Sequence, residues 1–291
     1  MLADFNALGI EIPARRGNAR VVCPRCADAH NNRKKTLSCD IERGIFQCFR
    51  CGWKGRVGGD IAWTDYKSDP SALETHRRKR QYAIDCILSE SVTITHSSAQ
   101  PARTYLSRRM GRILGEYPNL RFHPAARYYQ DGEHKGDYPA LISEVRDINN
   151  RLVTLHRTYL TEDGHKAPLD PPRKLMGVPQ GSCSGVAIRL AAASDALVLC
   201  EGIETALALS LMLDTPAWAA ISAHGLETVV IPNSVKTIHI GADNDTSGTG
   251  QRAARRLANR LWDDGYRDIV IHTPDGAGDD WADVVKKGMS L

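Results

Sequence analysis

Residues 196–201 read ALVLCE, residues 203–213 read IETALALSLML, and residues 237–245 read TIHIGADND. The first and third are apolar runs of strand length that end in an acid, and the middle one carries apolar residues at every helical spacing. PAWAAI at 216–221 is a further short run, and TGQRAARRLANRLWDDG at 249–265 is an amphipathic helix closed by Gly265. DIVIHTP at 268–274 supplies a fourth strand. Strand-helix units with fully apolar strands predict a mainly parallel sheet covered on both faces by helices. Ligands of such sheets bind beyond the carboxyl ends of the strands. Glu201, Asp243 and Asp245 are therefore expected to converge there, joined after the fourth strand by Asp279, Asp280 and Asp283 of GDDWADVV. Carboxylates that converge without Lys or Arg beside them repel one another, and hard divalent cations relieve that repulsion.

Upstream the pattern changes. Between residues 101 and 190 short strand-like runs such as LVTLHRTYL (152–160) alternate with Pro and Gly turns, which predicts an α+β region with an antiparallel hairpin. Residues 67–99 are polar and charged. They carry the basic run His76-Arg77-Arg78-Lys79-Arg80 and a helix through Ile84, Ile87 and Leu88. The first 66 residues are rich in Cys, Gly and Arg, as expected of a small domain organised by a metal instead of a core. The expected chain is thus multidomain, α/β and α+β, with boundaries at 1–66, 67–99, 100–190 and 191–291.

Charge follows the same division. Lys and Arg outnumber Asp and Glu by ten over residues 1–190, whereas the acids outnumber the bases by six over 191–291. A basic body suits a polyanion and an acidic end suits divalent cations. No run approaches the 18 apolar residues of a membrane span, and Asp4 interrupts the first apolar stretch, so a cytoplasmic protein without membrane contact is expected.

Four of the eight cysteines form two CxxC pairs, Cys23-Pro24-Arg25-Cys26 and Cys48-Phe49-Arg50-Cys51, separated by 21 residues. Two such knuckles complete a tetrahedral site of four thiolates, so structural Zn²⁺ is expected on Cys23, Cys26, Cys48 and Cys51. Cys39, between the pairs, reads as a buried strand residue.

The segment KKTLSCDIERGIFQCFRCGWKG (34–55), followed by Gly58-Gly59-Asp60-Ile61, resembles the four-cysteine zinc-binding domain of bacterial and phage DnaG-type DNA primases. That resemblance implies a domain that reads single-stranded template, with Arg33, Lys34, Lys35, Arg50 and Lys54 on phosphates and Phe49 or Trp53 stacking on bases. The three acidic blocks resemble the Toprim domain shared by primases, topoisomerases and some nucleases. Carried over, Glu201 is the acid/base glutamate and Asp243 and Asp245 hold Mg²⁺ or Mn²⁺. Asp280 and Asp283 match the last block at a wider spacing. Residues 146–189, with Pro172-Arg173-Lys174-Leu175, resemble the basic subdomain that precedes Toprim in primases. This implies Arg157 and Lys174, and less directly Lys166, as contacts to triphosphate or primer.

The whole arrangement is most similar to primases of phages, plasmids and other mobile elements. It implies an enzyme that makes short RNA primers on single-stranded DNA from NTPs by metal-dependent nucleotidyl transfer. The rival readings are a Toprim nuclease using the same acids, and a catalytically inactive DNA-binding replication factor. No GxxxxGK[ST] is present, so any replicative helicase is expected as a separate partner.

Overall fold

In this computed structural model the described residues are 2–13, 17–26, 35–48, 51, 53–57, 70–110, 115–179, 183–244, 246–276 and 278–288. They divide between two compact units, residues 1–73 and 74–291.

In the first unit, short alternating runs around the cysteines pair as an antiparallel sheet of β1 (Asn18–Val21), β2 (Leu37–Asp40), β3 (Ile45–Cys48) and β4 (Lys54–Arg56), in that order. Helix α1 (Leu2–Ala7) precedes it. Alternation sends Leu37 and Cys39 of β2 and Phe46 and Cys48 of β3 inward, where they meet Phe5, Ile10 and Val21. Cys39 is a buried strand residue, as its position in the sequence predicts. The Phe46 ring lies 4.6 Å from that of Trp53 and 6.5 Å from that of Phe5. A Cβ at position 55 would fall 2.8 Å from Phe46 Cζ, so β4 crosses the ring only because residue 55 is glycine.

The second unit is entered through α2 (Pro70–Ser89), whose Ile84 is buried as its spacing predicts. Helix α3 (Gln100–Met110) follows β5 (Val92–Thr93). Antiparallel strands come next: β6 (Leu120–Gln130), β7 (Glu133–Arg146), β8 (Leu152–Tyr159), β9 (Arg173–Leu175) and β10 (Ala187–Arg189). The β6–β7 hairpin closes on Asp131 and Gly132, both at positive φ (52° and 86°), the two-residue turn that matches strand twist. Next come β11 (Ala196–Cys200), α4 (Ile203–Leu213), β12 (Ala217–Ala219), α5 (Ala223–Thr228), β13 (Thr237–Gly241), α6 (Thr249–Asp263), β14 (Asp268–His272) and α7 (Trp281–Lys286).

Among the described residues all ten strands of this unit form one sheet, ordered β14-β13-β11-β12-β10-β7-β6-β5, with β8 on the other side of β7 and β9 beyond it. The neighbours β12–β11–β13–β14 are parallel, and the rest of the sheet is antiparallel. Helices α3, α4 and α7 pack one face of the parallel region through Leu106, Leu207 and Trp281, while α5 and α6 pack the other through Leu226 and Leu257. Residues 197–200 of β11 are wholly buried, as an apolar central strand requires. DIVIH differs: Val270 and Ile271 stay 40% and 39% exposed because β14 is the outermost strand and pairs with β13 alone.

Candidate functional site

The end of β11 hands directly to α4 through Glu201 and Gly202. In register, Cys200 of β11 lies beside Gly241 of β13, so Glu201 and Asp243 emerge from the same end of neighbouring parallel strands. A Cβ at position 241 would meet Leu209 Cδ1 at 2.3 Å and Cys200 Sγ at 2.6 Å; glycine is what lets β13 sit this close to α4 and β11. Thr205, one turn into α4, donates from Oγ1 to Asp243 Oδ1 at 2.9 Å and fixes that carboxylate. Burial raises the Cys200 thiol pKa, and the Asp243 charge raises it further. Asn244 pins the next loop: its Nδ2 donates to the Pro274 carbonyl at 2.9 Å, and its backbone N–H to the Asp279 carbonyl at 3.1 Å. Asp245 lies outside the described residues.

Glu204 is the hub of a buried ionic network at the same helix end. It accepts from Tyr105 Oη of α3 and from Arg173 Nη2 of β9 at 2.5 Å, and Lys166 Nζ lies at 3.4 Å. Burial alone would raise its pKa, but Arg173 and then Lys166 outweigh it and hold the carboxyl at about 2. His156 of β8 looks onto this network. Its pKa is pushed down to about 4, first by burial and then by the Arg173 charge, and its Nδ1 has no hydrogen-bond partner.

Asp280 and Asp283 are engaged differently from a metal pair. They form a reciprocal capping box at the start of α7, with Asp283 N–H donating to Asp280 Oδ1 at 2.9 Å. Arg109 of α3 donates to Asp280 and lies 3.8 Å from Asp283. Burial opposes the Arg109 charge, and Asp280, Glu204 and Asp283 restore it. Arg157 and Lys174 stand side by side as cross-strand partners, yet on the sheet face turned away from Glu204, because strand alternation gives that network to Arg173 and His156. Lys174 Nζ lies 3.9 Å from the Tyr128 ring centroid and donates to the Tyr129 carbonyl. In α6, Arg256 and Arg260 tie the helix to α5 through Glu227, and Arg252 closes the Ser247 loop.

Sequence reasoning passed over Glu204, Tyr105, Arg109, Thr205 and Arg173. The available signal was that Glu204 is an acid inside the otherwise apolar IETALAL, where burial demands partners.

In the first unit, Cys23, Cys26, Cys48 and Cys51 bring their Sγ atoms within 4.8 Å of one another. Cys23 and Cys51 are 3.9 Å apart and Cys26 and Cys48 3.6 Å, close to the ~3.8 Å edge of a tetrahedron with Zn–S bonds of about 2.3 Å. Burial and the neighbouring thiols push Cys26 up to about 12, so the four sulfurs become thiolates together only around a cation. Among the described residues no other group of three or more His, Cys, Asp or Glu converges in this way. Lys35 and Lys54 are exposed, and Trp53 packs half-buried on Phe46. Arg33, Lys34, Phe49 and Arg50 lie outside the described residues.

No curated protein matches the chain. Residues 78–186 match a domain of unknown function, DUF7146, and residues 196–290 match the Toprim domain. Among solved structures the chain is similar to the DnaG primase catalytic domain bound to single-stranded DNA, at 15% identity and a TM-score of 0.47, over 74% of this chain and 79% of that one. The E. coli primase catalytic core aligns at 14% identity and a TM-score of 0.40, over 74% and 76% of the two chains. The bacteriophage T7 primase domains, solved with the lagging-strand DNA polymerase and an RNA/DNA hybrid, align at 12% identity and a TM-score of 0.38, over 92% and 91%. With Glu201 and Asp243 at the ends of adjacent parallel strands, residues 196–290 are a Toprim domain, carried in one chain with a four-cysteine cluster that fits a zinc ribbon.

Proposed function

We propose that the chain is a DNA primase that joins NTPs into short RNA primers on single-stranded DNA. The observation that carries the reading is the pairing, in one chain, of a four-cysteine cluster with a Toprim domain whose Glu201 and Asp243 leave the same end of neighbouring strands. Template capture is a need of priming, and a cluster of this kind is suited to building the small domain that meets it. In this reading the cluster holds structural Zn²⁺, and the exposed Lys35 and Lys54 meet template phosphates, with Lys34 and Arg50 added by sequence. Trp53, held on Phe46, offers its remaining face to a base.

Glu201 and Asp243 would hold Mg²⁺ or Mn²⁺, with Asp245 as a third ligand assigned from sequence. Their hard oxygen donors suit such ions. Bound there, the metal lowers the pKa of the attacking 3′-hydroxyl and neutralises charge growing on the phosphoryl oxygens. Thr205 keeps one Asp243 oxygen oriented. Glu204 holds Arg173 and Lys166 beside the amino end of α4, where their charge can meet a triphosphate. Asp280 and Asp283 act through Arg109 and the seating of α7 instead of through the metal. Arg157 and Lys174, on the opposite face, are left to contact a strand.

A cytoplasmic enzyme of a mobile element, working beside a separate helicase, completes the proposal. No helix among the described residues is long and apolar enough to cross a membrane. A Toprim nuclease would use the same acids with water as the nucleophile. Incubation with labelled NTPs, single-stranded DNA and Mg²⁺, run beside cleavage of the same DNA, separates the two: the proposal requires oligoribonucleotides, and cleavage without synthesis would replace it.

A further inference from the structure

The outer strands of the large sheet are finished in different ways. β5 is two residues long, and β9 is three residues long and carries Arg173 and Lys174. The stretch of β6 beyond β5 contains Pro124 and a register shift between His123 and Ala126. Short, cationic, proline-bearing or bulged edges all resist pairing with a further strand. β14 has none of these devices. It reads Asp268-Ile269-Val270-Ile271-His272 and keeps an unbroken register with β13. Its Val270 and Ile271 are exposed, as is Trp262 near the end of α6 that leads into it. A regular apolar edge left open invites a partner strand.

The backbone of β14 has the parity that pairing with itself requires. The Ala242 N–H donates to the His272 carbonyl at 3.0 Å, so Asp268, Val270 and His272 turn their backbone groups to β13, while Ile269 and Ile271 turn theirs outward. About a two-fold axis through Val270, a second β14 runs antiparallel. Ile269 of one copy then exchanges both backbone bonds with Ile271 of the other, Val270 faces Val270, and Asp268 faces His272. Apolar residues meet at the centre, and a carboxylate meets an imidazole at each end. Both end residues are already held: Thr237 Oγ1 donates to Asp268 Oδ2 at 2.7 Å, and His239 Nδ1 lies 2.9 Å from His272 Nε2. Asp268 Oδ1 and His272 Nδ1 are the atoms turned over to the contact. A register centred on Ile271 would instead set Val270 against His272 and lose the Asp268 contact. Ile269 packs with the cluster under α6, so Ile271, two residues on, shares the α6 face. The axis thus carries Ile271 of one copy towards the strand end where the other copy's Trp262 stands, its ring centroid 4.5 Å from the Arg267 guanidinium.

We infer that β14 is a self-association edge, through which two copies of this chain pair antiparallel about Val270 and run their sheets into one. Two-fold pairing reverses the second sheet, so the Glu201–Asp243 ends of the two copies open at opposite margins and both stay accessible. The inference does not rest on the priming reading.

Sedimentation of the full zinc-loaded chain across a concentration series tests it. A short edge with flanking side chains is a small interface, so dimers with a dissociation constant on the order of micromolar are expected. Val270→Lys sets two like charges on the axis and should raise that constant roughly hundredfold or more, with an unchanged circular dichroism spectrum. Crosslinking reads the register. In Val270→Cys the paired Cα atoms stand about 4.5 Å apart, within disulfide reach, so oxidised glutathione should join two copies at position 270, identified by mass spectrometry of the linked peptides. Ile269→Cys alone should link at least about tenfold more slowly, and mixing it with Ile271→Cys should restore the link. A chain that stays monomeric to roughly 100 µM, a Val270→Lys dimer as tight as the unaltered one, or equal linking at positions 269 and 270 would each overturn the inference.

Discussion

Glu204 shows how one residue can govern the chemistry of its surroundings. A carboxylate this deeply buried is tolerable only while Arg173, Lys166 and Tyr105 surround it, and removing one partner of such a pair leaves the others uncompensated. Glu204→Gln should therefore destabilise residues 74–291 by about 3–5 kcal/mol, read from chemical denaturation. The pH dependence has two parts. Arg173 and Lys166 hold the Glu204 carboxyl at about 2 in the folded chain, below the ordinary 4.5 it takes when unfolded, so its contribution is complete above pH 4.5 and is lost as pH falls towards 2. His156 titrates near 4 when folded against 6.5 unfolded, so the unfolded chain takes up its proton first and stability falls from pH 6.5 to 4. Up to about 3 kcal/mol is at stake in that upper window. His156→Gln should flatten it and leave the lower limb unchanged; an unchanged upper limb would place His156 in contact with water. The roles of these two residues were not legible beforehand, because partners on α3, β8 and β9 are set by tertiary packing. Glu201 and Asp243 were legible, because an acid that ends an apolar strand can stand in one place only.

Elements position these residues through a few close approaches. The fit of α4 over β13 depends on Gly241, where any side chain meets Leu209 and Cys200. Gly241→Ala should cost about 1–3 kcal/mol through overpacking, and by displacing Asp243 from Thr205 it should weaken Mn²⁺ binding more than that loss of stability alone explains. Isothermal titration beside thermal melting measures both; full Mn²⁺ affinity in a destabilised variant would separate packing from the site. The strands of 196–272 and helices α4 and α6 were legible from periodicity, since apolar runs of four to six residues alternating with a long amphipathic pattern leave few arrangements, whereas the six-residue α5 was too short to show a period. Two features escaped. Asp280 and Asp283 carry the same letters whether they bind metal or cap a helix, and their contact with Arg109, far away in sequence, left no local signal. Lys174 and Arg173 are adjacent in the chain, and the alternation of β9 sends them to opposite faces.

At the scale of the molecule, two units are organised by different means, the first around four thiols and the second around an apolar sheet. Zinc binding should thus be folding energy for the first unit alone. Cys48→Ser or a strong chelator should abolish zinc content and unfold residues 1–73 while the second unit melts unchanged; a zinc-free chain with native hydrogen-exchange protection at Leu37 and Phe46 would contradict this. The CxxC spacing made the cluster legible from sequence. The single sheet that joins the basic region to the Toprim region through β10 was not, because long-range pairing of a three-residue strand leaves no local signal. The central claim is that Glu201 and Asp243 bind the ions that drive primer synthesis, and the most direct measurement is incorporation of labelled NTPs on single-stranded DNA by the unaltered chain, Glu201→Gln and Asp243→Asn. The account predicts Mg²⁺- or Mn²⁺-dependent oligoribonucleotides from the unaltered chain and a loss of roughly 10²-fold or more in each folded variant. Undiminished synthesis in either variant would contradict it.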